Sequence, residues 1–179
     1  MKQNHIVYLV GFMGCGKTTI GKKLAASLNW EFIDLDRKIE EKTGLTINEL
    51  FAIHGEEYFR EIEAATLRGL SFDANCVVAT GGGTPCFKGN MNFMFDNGYT
   101  IYFKLTPMQL AGRLKASVDG RPLIQNIEGI DRLDFIEKKL AKRSKWYEKS
   151  HLVITGLKVN ISLINKRILS YFDSYFVYL

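Results

Sequence analysis

The residues Gly11-Phe12-Met13-Gly14-Cys15-Gly16-Lys17-Thr18 constrain this chain more than any other stretch. They follow a short apolar run, Ile6 to Val10, and precede a helical pattern, so the spacing G-x-x-x-x-G-K-S/T falls between a strand and a helix, the setting that gives it meaning. In such a loop, successive backbone N–H groups converge on phosphate oxygens and the following helix presents its positive dipole end. Lys17 would reach the β- and γ-phosphates, and the Thr18 hydroxyl can ligate Mg²⁺. A nucleoside triphosphate is therefore expected against Gly11, Gly14, Cys15, Gly16, Lys17, Thr18 and Thr19. A plain glycine-rich turn would account for the glycines but not for the lysine beside them.

The rest of the chain alternates between two periods. Apolar, β-branched runs at Ile6 to Val10, Phe32 to Leu35, Cys76 to Ala79, Thr100 to Leu105 and Leu152 to Thr155 read as buried strands. Between them, Gly16 to Leu28 carries Ile20, Leu24 and Leu28 at helical spacing, and Thr46-Ile47-Asn48-Glu49 is a capping box opening a helix toward His54. Glu56 to Leu70 continues helically, and Pro107 stands where a first helical turn tolerates proline. This order predicts one α/β domain over residues 1–179, a five-stranded parallel sheet flanked by helices. Ligands in such sheets lie at the carboxyl ends of the strands.

Those strand ends carry the chemistry. The second ends in Asp34-Leu35-Asp36, and residues two apart on an extended chain point to one side. One carboxylate can hold Mg²⁺ while the other orients and deprotonates an acceptor hydroxyl, a recurrent division of labour in phosphoryl transfer; Asp36 could instead cap the next helix. The third strand, where many phosphate-loop proteins place a magnesium-binding acid, is followed by Gly81-Gly82-Gly83. Three residues without side chains let backbone N–H groups approach a ligand closely. Arg60, Arg121 and Arg143 are candidates for pairing with a carboxylate or phosphate, because a planar guanidinium binds either bidentately. Residues 117–131, weakly periodic and containing an isolated arginine, read as a mobile lid that closes over phosphates and excludes water. Cys15, beside Lys17 at a helix start, has surroundings that make a thiol reactive, so alkylation there is expected to block nucleotide.

Composition narrows the classes. With 46% hydrophobic and 24% charged residues the chain is globular, and no apolar stretch approaches the roughly 18 residues of a membrane span. The net charge of +5 is dispersed among acids, so neither nucleic acid nor a membrane is expected as a partner. Three cysteines without metal-ligand spacing, and opening residues that lack a long apolar run, point to a reduced, cytoplasmic setting. The signature Asn-Lys-x-Asp of guanine-specific switches does not occur.

In combination, Gly11 to Thr18, Asp34-Leu35-Asp36, Phe59-Arg60, Gly81-Gly82-Gly83, Arg121-Pro122-Leu123 and Arg143 with Tyr147 four residues on make the chain resemble the shikimate kinase family from Ile6 to about Thr155. The resemblance implies a three-layer P-loop kinase fold that transfers the γ-phosphate of ATP to the 3-hydroxyl of shikimate, with Mg²⁺ as cofactor; a monomer is the expected form. It implies that Asp36 binds the shikimate hydroxyls and acts as base, and that Thr18 and Asp34 serve the metal. Arg60 and Arg143 would clamp the shikimate carboxylate, within a substrate-binding helical region over about 34–62, and the Gly81-Gly82-Gly83 backbone would meet the ring hydroxyls. Arg121 would close with the lid onto the phosphates, and the adenine-stacking arginine falls on Arg113. A gluconate kinase shares the phosphate loop and an early acidic pair, but Gly81-Gly82-Gly83 with Arg60 and Arg143 argues against it. The stretch Ile154 to Lys158 does not map onto the family, nor does the aromatic tail Tyr171 to Leu179, which is expected to finish the core as a helix end.

Overall fold

The structure, a computed structural model, describes residues 4–115 and 129–175. Strand β1 (Ile6–Val10) leads through the glycine loop into helix α1 (Lys17–Leu28), followed by β2 (Glu31–Asp34), α2 (Leu35–Thr43) and α3 (Ile47–Arg68). After β3 (Cys76–Ala79), a single 3₁₀ turn at Thr84–Cys86 precedes α4 (Asn90–Asp96) and β4 (Tyr99–Lys104). The chain then runs through α5 (Pro107–Lys115), α6 (Gly129–Tyr147), β5 (Leu152–Thr155) and α7 (Ile161–Tyr175).

The five strands pair in the order β2-β3-β1-β4-β5, every pairing parallel. Central β1 is apolar throughout because helices cover both faces of the sheet, and its residues alternate between two cores. Val7 and Leu9 pack with Leu24 of α1, Leu110 of α5, Ile136 of α6 and Ile168 of α7. Tyr8 and Val10 pack on the other face with Ile39 of α2, Leu50 and Phe59 of α3, and Met91 and Met94 of α4. This is the expected three-layer α/β arrangement, and no helix among the described residues is long and apolar enough to cross a membrane.

Local chemistry sets the helix ends. Thr46 accepts from the Glu49 N–H while Glu49 accepts from Thr46, so both arms of the capping box form. Gly55, at φ 80° and ψ 174°, interrupts α3 between the two helical runs read from the sequence. The tail also behaves as expected as far as Tyr175. Phe172 stacks on His5 at 4.2 Å, and Tyr171 lies 4.4 Å from Tyr99, joining α7 to the lower edge of the sheet. Helix α4 has no counterpart in the sequence reading: seven residues with two buried methionines are too short to show a period. Of the expected lid, residues 117–128, Arg121 among them, lie outside the described residues, and 129–131 open α6.

Candidate active site

A cavity of about 320 Å³ opens at the carboxyl ends of β1, β2 and β3. Gly14, Gly16, Lys17, Thr18 and Thr19 line one side, Asp34 and Asp36 a second, Gly81 and Gly82 a third, and Arg113 closes the rim. Gly11 and Cys15 sit behind the loop, while Gly83, Arg60 and Arg143 lie outside the cavity wall.

The loop needs its glycines for two reasons. Gly11, Gly14 and Gly16 have φ of 141°, 80° and 102°, values that L side chains rarely adopt. A Cβ on Gly16 would also fall 3.1 Å from Nη2 of Arg113, which places that arginine directly over the loop. Lys17, 8% exposed, donates through its ammonium to the carbonyls of Gly11 at 2.8 Å and Phe12 at 3.1 Å. Cys15 is only 2% exposed, with its sulfur 3.7 Å from Lys17 Nζ. Its expected alkylation is therefore corrected: a reagent has no access until the loop opens.

Thr18 Oγ1 donates to Asp34 Oδ2 at 2.9 Å, so the hydroxyl and carboxylate expected to serve a metal are already together. Both are hard oxygen donors at the mouth of a phosphate loop, a set that suits Mg²⁺, which takes one or two protein ligands and completes its shell with water and phosphate. Asp36 reaches the same cavity by a different route from the one its spacing predicted. The strand stops at Asp34, Leu35 begins α2, and the first helical turn rather than strand alternation carries Asp36 inward. Nor does Asp36 cap that helix, since Asp34 holds the capping position.

Asp36 ionises at about 6 rather than 3.8, chiefly because burial penalises its charge, and then because Asp34 and Glu63 are negative neighbours; Lys17 opposes them. The crowding is visible at Gly81. A Cβ there would lie 2.9 Å from Asp36 Oδ1, 2.9 Å from Thr84 Oγ1 and 3.0 Å from Glu63 Oε1. Gly83 leaves the same kind of room for a cation, with Arg60 Nη2 2.5 Å from where its Cβ would stand. These glycines thus admit the site's own side chains, a use beyond the expected approach of backbone to ligand.

Arg60, 6% exposed, is held among Phe51, Phe59 and Phe87 at 5.8, 5.0 and 4.4 Å from the ring centroids. Its Nη1 donates to Glu63 at 2.8 Å and its Nη2 to Glu56 at 3.0 Å. Arg143, 8% exposed, lies 5.8 Å from the Phe12 ring and, among the described residues, makes no ion pair. The Tyr147 hydroxyl lies close to it and donates to the carbonyl of Gly82. Burial raises the Cys86 thiol to about 11, against the pull of Arg143 and Arg60, so both arginines flank the segment that follows the three glycines. Glu63 and Tyr147 had been given no role from the sequence. The interval Arg60-x-x-Glu63 on one helix face was the available signal for the first.

The shikimate kinase family model matches residues 13–171. The shikimate kinase of Bacteroides thetaiotaomicron is 42% identical over 150 residues, covering 84% of this chain and 86% of that protein. The chain belongs to the shikimate kinase family. A solved shikimate kinase structure from the same organism superposes with a TM-score of 0.85 at 37% identity, covering 94% of this chain and 98% of the other. A second, from Acinetobacter baumannii in complex with shikimate, has a TM-score of 0.79 at 34% identity, with 96% and 94% covered. The five-stranded parallel sheet is thus the P-loop kinase fold of the shikimate kinases, and the expected family assignment is borne out.

Proposed function

We propose that the site divides the transfer of the γ-phosphate of ATP to the 3-hydroxyl of shikimate among the following residues; the reaction makes ADP and shikimate 3-phosphate for aromatic amino acid biosynthesis. The observation that carries this reading is the convergence, on one cavity, of a phosphate loop, a hydroxyl–carboxylate pair and a recessed aspartate that ionises near 6.

Gly11 to Thr19 cradle the triphosphate, with Lys17 exchanging its two carbonyl partners for phosphate oxygens and Arg113 stacking on adenine. Thr18 and Asp34 would hold Mg²⁺, which when bound would neutralise charge on the phosphates. Asp36 orients the 3-hydroxyl and accepts its proton; a base titrating near 6 is ionised at neutral pH and still basic enough to draw a proton as the new bond forms. Arg60 and Arg143 bind the shikimate carboxylate, and Gly81, Gly82 and Gly83 pass along the ring hydroxyls, so that residues 34–62 form most of the acceptor side. Arg121 closes onto the phosphates from the lid, 117–131. Positioning accounts for most of the rate in such a mechanism, since the metaphosphate-like transition state needs aligned oxygens and matched charge.

We further propose a monomer acting in the cytoplasm, a reading supported by the dispersed charge and reduced cysteines. An ADP-release assay offering shikimate and gluconate side by side tests the function. Shikimate-dependent release that requires Mg²⁺ is the expected result, and turnover of gluconate without shikimate would overturn the reading.

A further inference from the structure

Arg60 is enclosed on every side that the described residues define. Three aromatic rings cover its faces, its Nη1 and Nη2 lie against the Gly83 backbone, and Nη1 is paired with Glu63. The remaining edge, Nε and Nη2, donates to one oxygen of Glu56 at 3.3 and 3.0 Å. The two carboxylates are not equivalent. The Glu63 side chain is 1% exposed and also accepts from Thr84 at 2.6 Å, so it is fixed. The Glu56 side chain is 56% exposed and follows directly on Gly55, where α3 is broken. A Cβ on Gly55 would meet nothing within 4 Å, so the glycine is there for its φ of 80° and not for want of space. With both acids in place the cluster carries a net negative charge, which repels a further carboxylate.

We infer that Glu56 is an internal competitor for the substrate's carboxylate, holding the Nε–Nη2 edge of Arg60 until an anionic acceptor displaces it by swinging it outward at the Gly55 break. The exchange conserves charge: one carboxylate leaves the guanidinium as another arrives, and the buried Arg60–Glu63 pair is never left uncompensated. Glu56 is then an affinity-setting residue that never touches the reacting atoms. The inference rests on the reading that Arg60 receives the shikimate carboxylate.

The test is Glu56→Gln and Glu56→Ala, each alone and in an Arg60→Ala background, with KM for shikimate and for ATP measured separately and folding checked by thermal unfolding. Loss of a half-exposed competing ion pair is expected to lower KM for shikimate about two- to fivefold, with KM for ATP unchanged. In the Arg60→Ala background, which itself raises KM for shikimate, Glu56→Gln is expected to have no effect. If Arg60→Ala leaves KM for shikimate unchanged, the placement of the carboxylate fails and the inference falls with it. If Arg60→Ala raises KM but both Glu56 variants leave it unchanged or raise it, the placement stands and Glu56 is an anchor for Arg60, which overturns the inference alone.

Discussion

Replacing Asp36 with asparagine should abolish most turnover and at the same time stabilise the fold, by an amount that depends on pH in a defined way. The carboxyl ionises at about 6 in the folded chain against 3.8 ordinarily. At about 1.36 kcal/mol per pH unit, the folded state loses about 3 kcal/mol relative to the unfolded state when Asp36 becomes charged. The sign follows from the raised value: the wild-type protein has its full stability below pH 3.8 and loses this contribution as pH rises through 6. Asparagine resembles the neutral form at every pH. The variant is therefore expected to lead the wild type by about 3 kcal/mol at pH 7.5 and by only about 1 kcal/mol at pH 4.5, where the folded wild type is already mostly protonated. For a chain of this size that is a rise in Tm of roughly 6–12 °C, shrinking to roughly 2–4 °C. Thermal unfolding of both proteins at the two pH values is the assay, and subtraction removes every other group that titrates in both. An equal advantage at both pH values, or an asparagine protein less stable at pH 7.5, would refute the claim that the charge on Asp36 is held at a cost to the fold.

The same value predicts that kcat/KM for shikimate falls tenfold per unit below about pH 6, because the base must be ionised; a profile flat to pH 5 would remove Asp36 from that role. Gly83 has φ −92° and ψ −23°, which alanine adopts freely, so Gly83→Ala should act by displacing Arg60, raising KM for shikimate at least about tenfold and lowering Tm as the buried Arg60–Glu63 pair is disturbed. Arg143→Lys is expected to raise the same KM by about tenfold while kcat changes less, since a point charge cannot reproduce a planar fork; equal losses in kcat and kcat/KM would place Arg143 in the transition state instead. Tyr147→Phe removes the bond to the Gly82 carbonyl and the hydroxyl close to Arg143, and an increase in KM for shikimate without change in KM for ATP is the expected result.

The five strands and the glycine loop were legible because their signals are local. Ile6 to Val10 and Cys76 to Ala79 are apolar runs buried on both faces, and the loop's spacing encodes backbone conformations that Gly11, Gly14 and Gly16 do adopt. Asp34 and Asp36 were found as a pair for an incomplete reason. Alternation along a strand predicted a shared side, whereas the chain changes from strand to helix between them, and the cavity receives Asp36 only because α2 begins one residue after Asp34. Glu63 was not legible as a site residue. Its importance comes from Thr84 and Gly81, which the fold brings to it from the far side of β3, and from the burial that leaves it 1% exposed. Contacts of that kind join elements far apart in sequence and leave no periodic trace.

The two buried arginines show how the acceptor side is poised. Arg60 carries two carboxylates where one would suffice, while Arg143, equally buried, has no ion pair among the described residues and lies near the Tyr147 hydroxyl, the Phe12 ring and Cys86. A buried guanidinium without a counter-charge is costly, and so is the charge on Asp36, which ionises only at about 6 in the first turn of α2. These costs have opposite signs of charge and lie on either side of the three glycines. A ligand with a carboxylate at one end and a hydroxyl at the other relieves both, pairing with Arg143 while offering Asp36 a proton to share. Shikimate has that polarity and gluconate has it in a longer, flexible chain. It follows that the selectivity of this site should reside in the distance between the two relieved charges, with the Tyr147–Gly82 hydrogen bond tying α6 to the glycine segment between them.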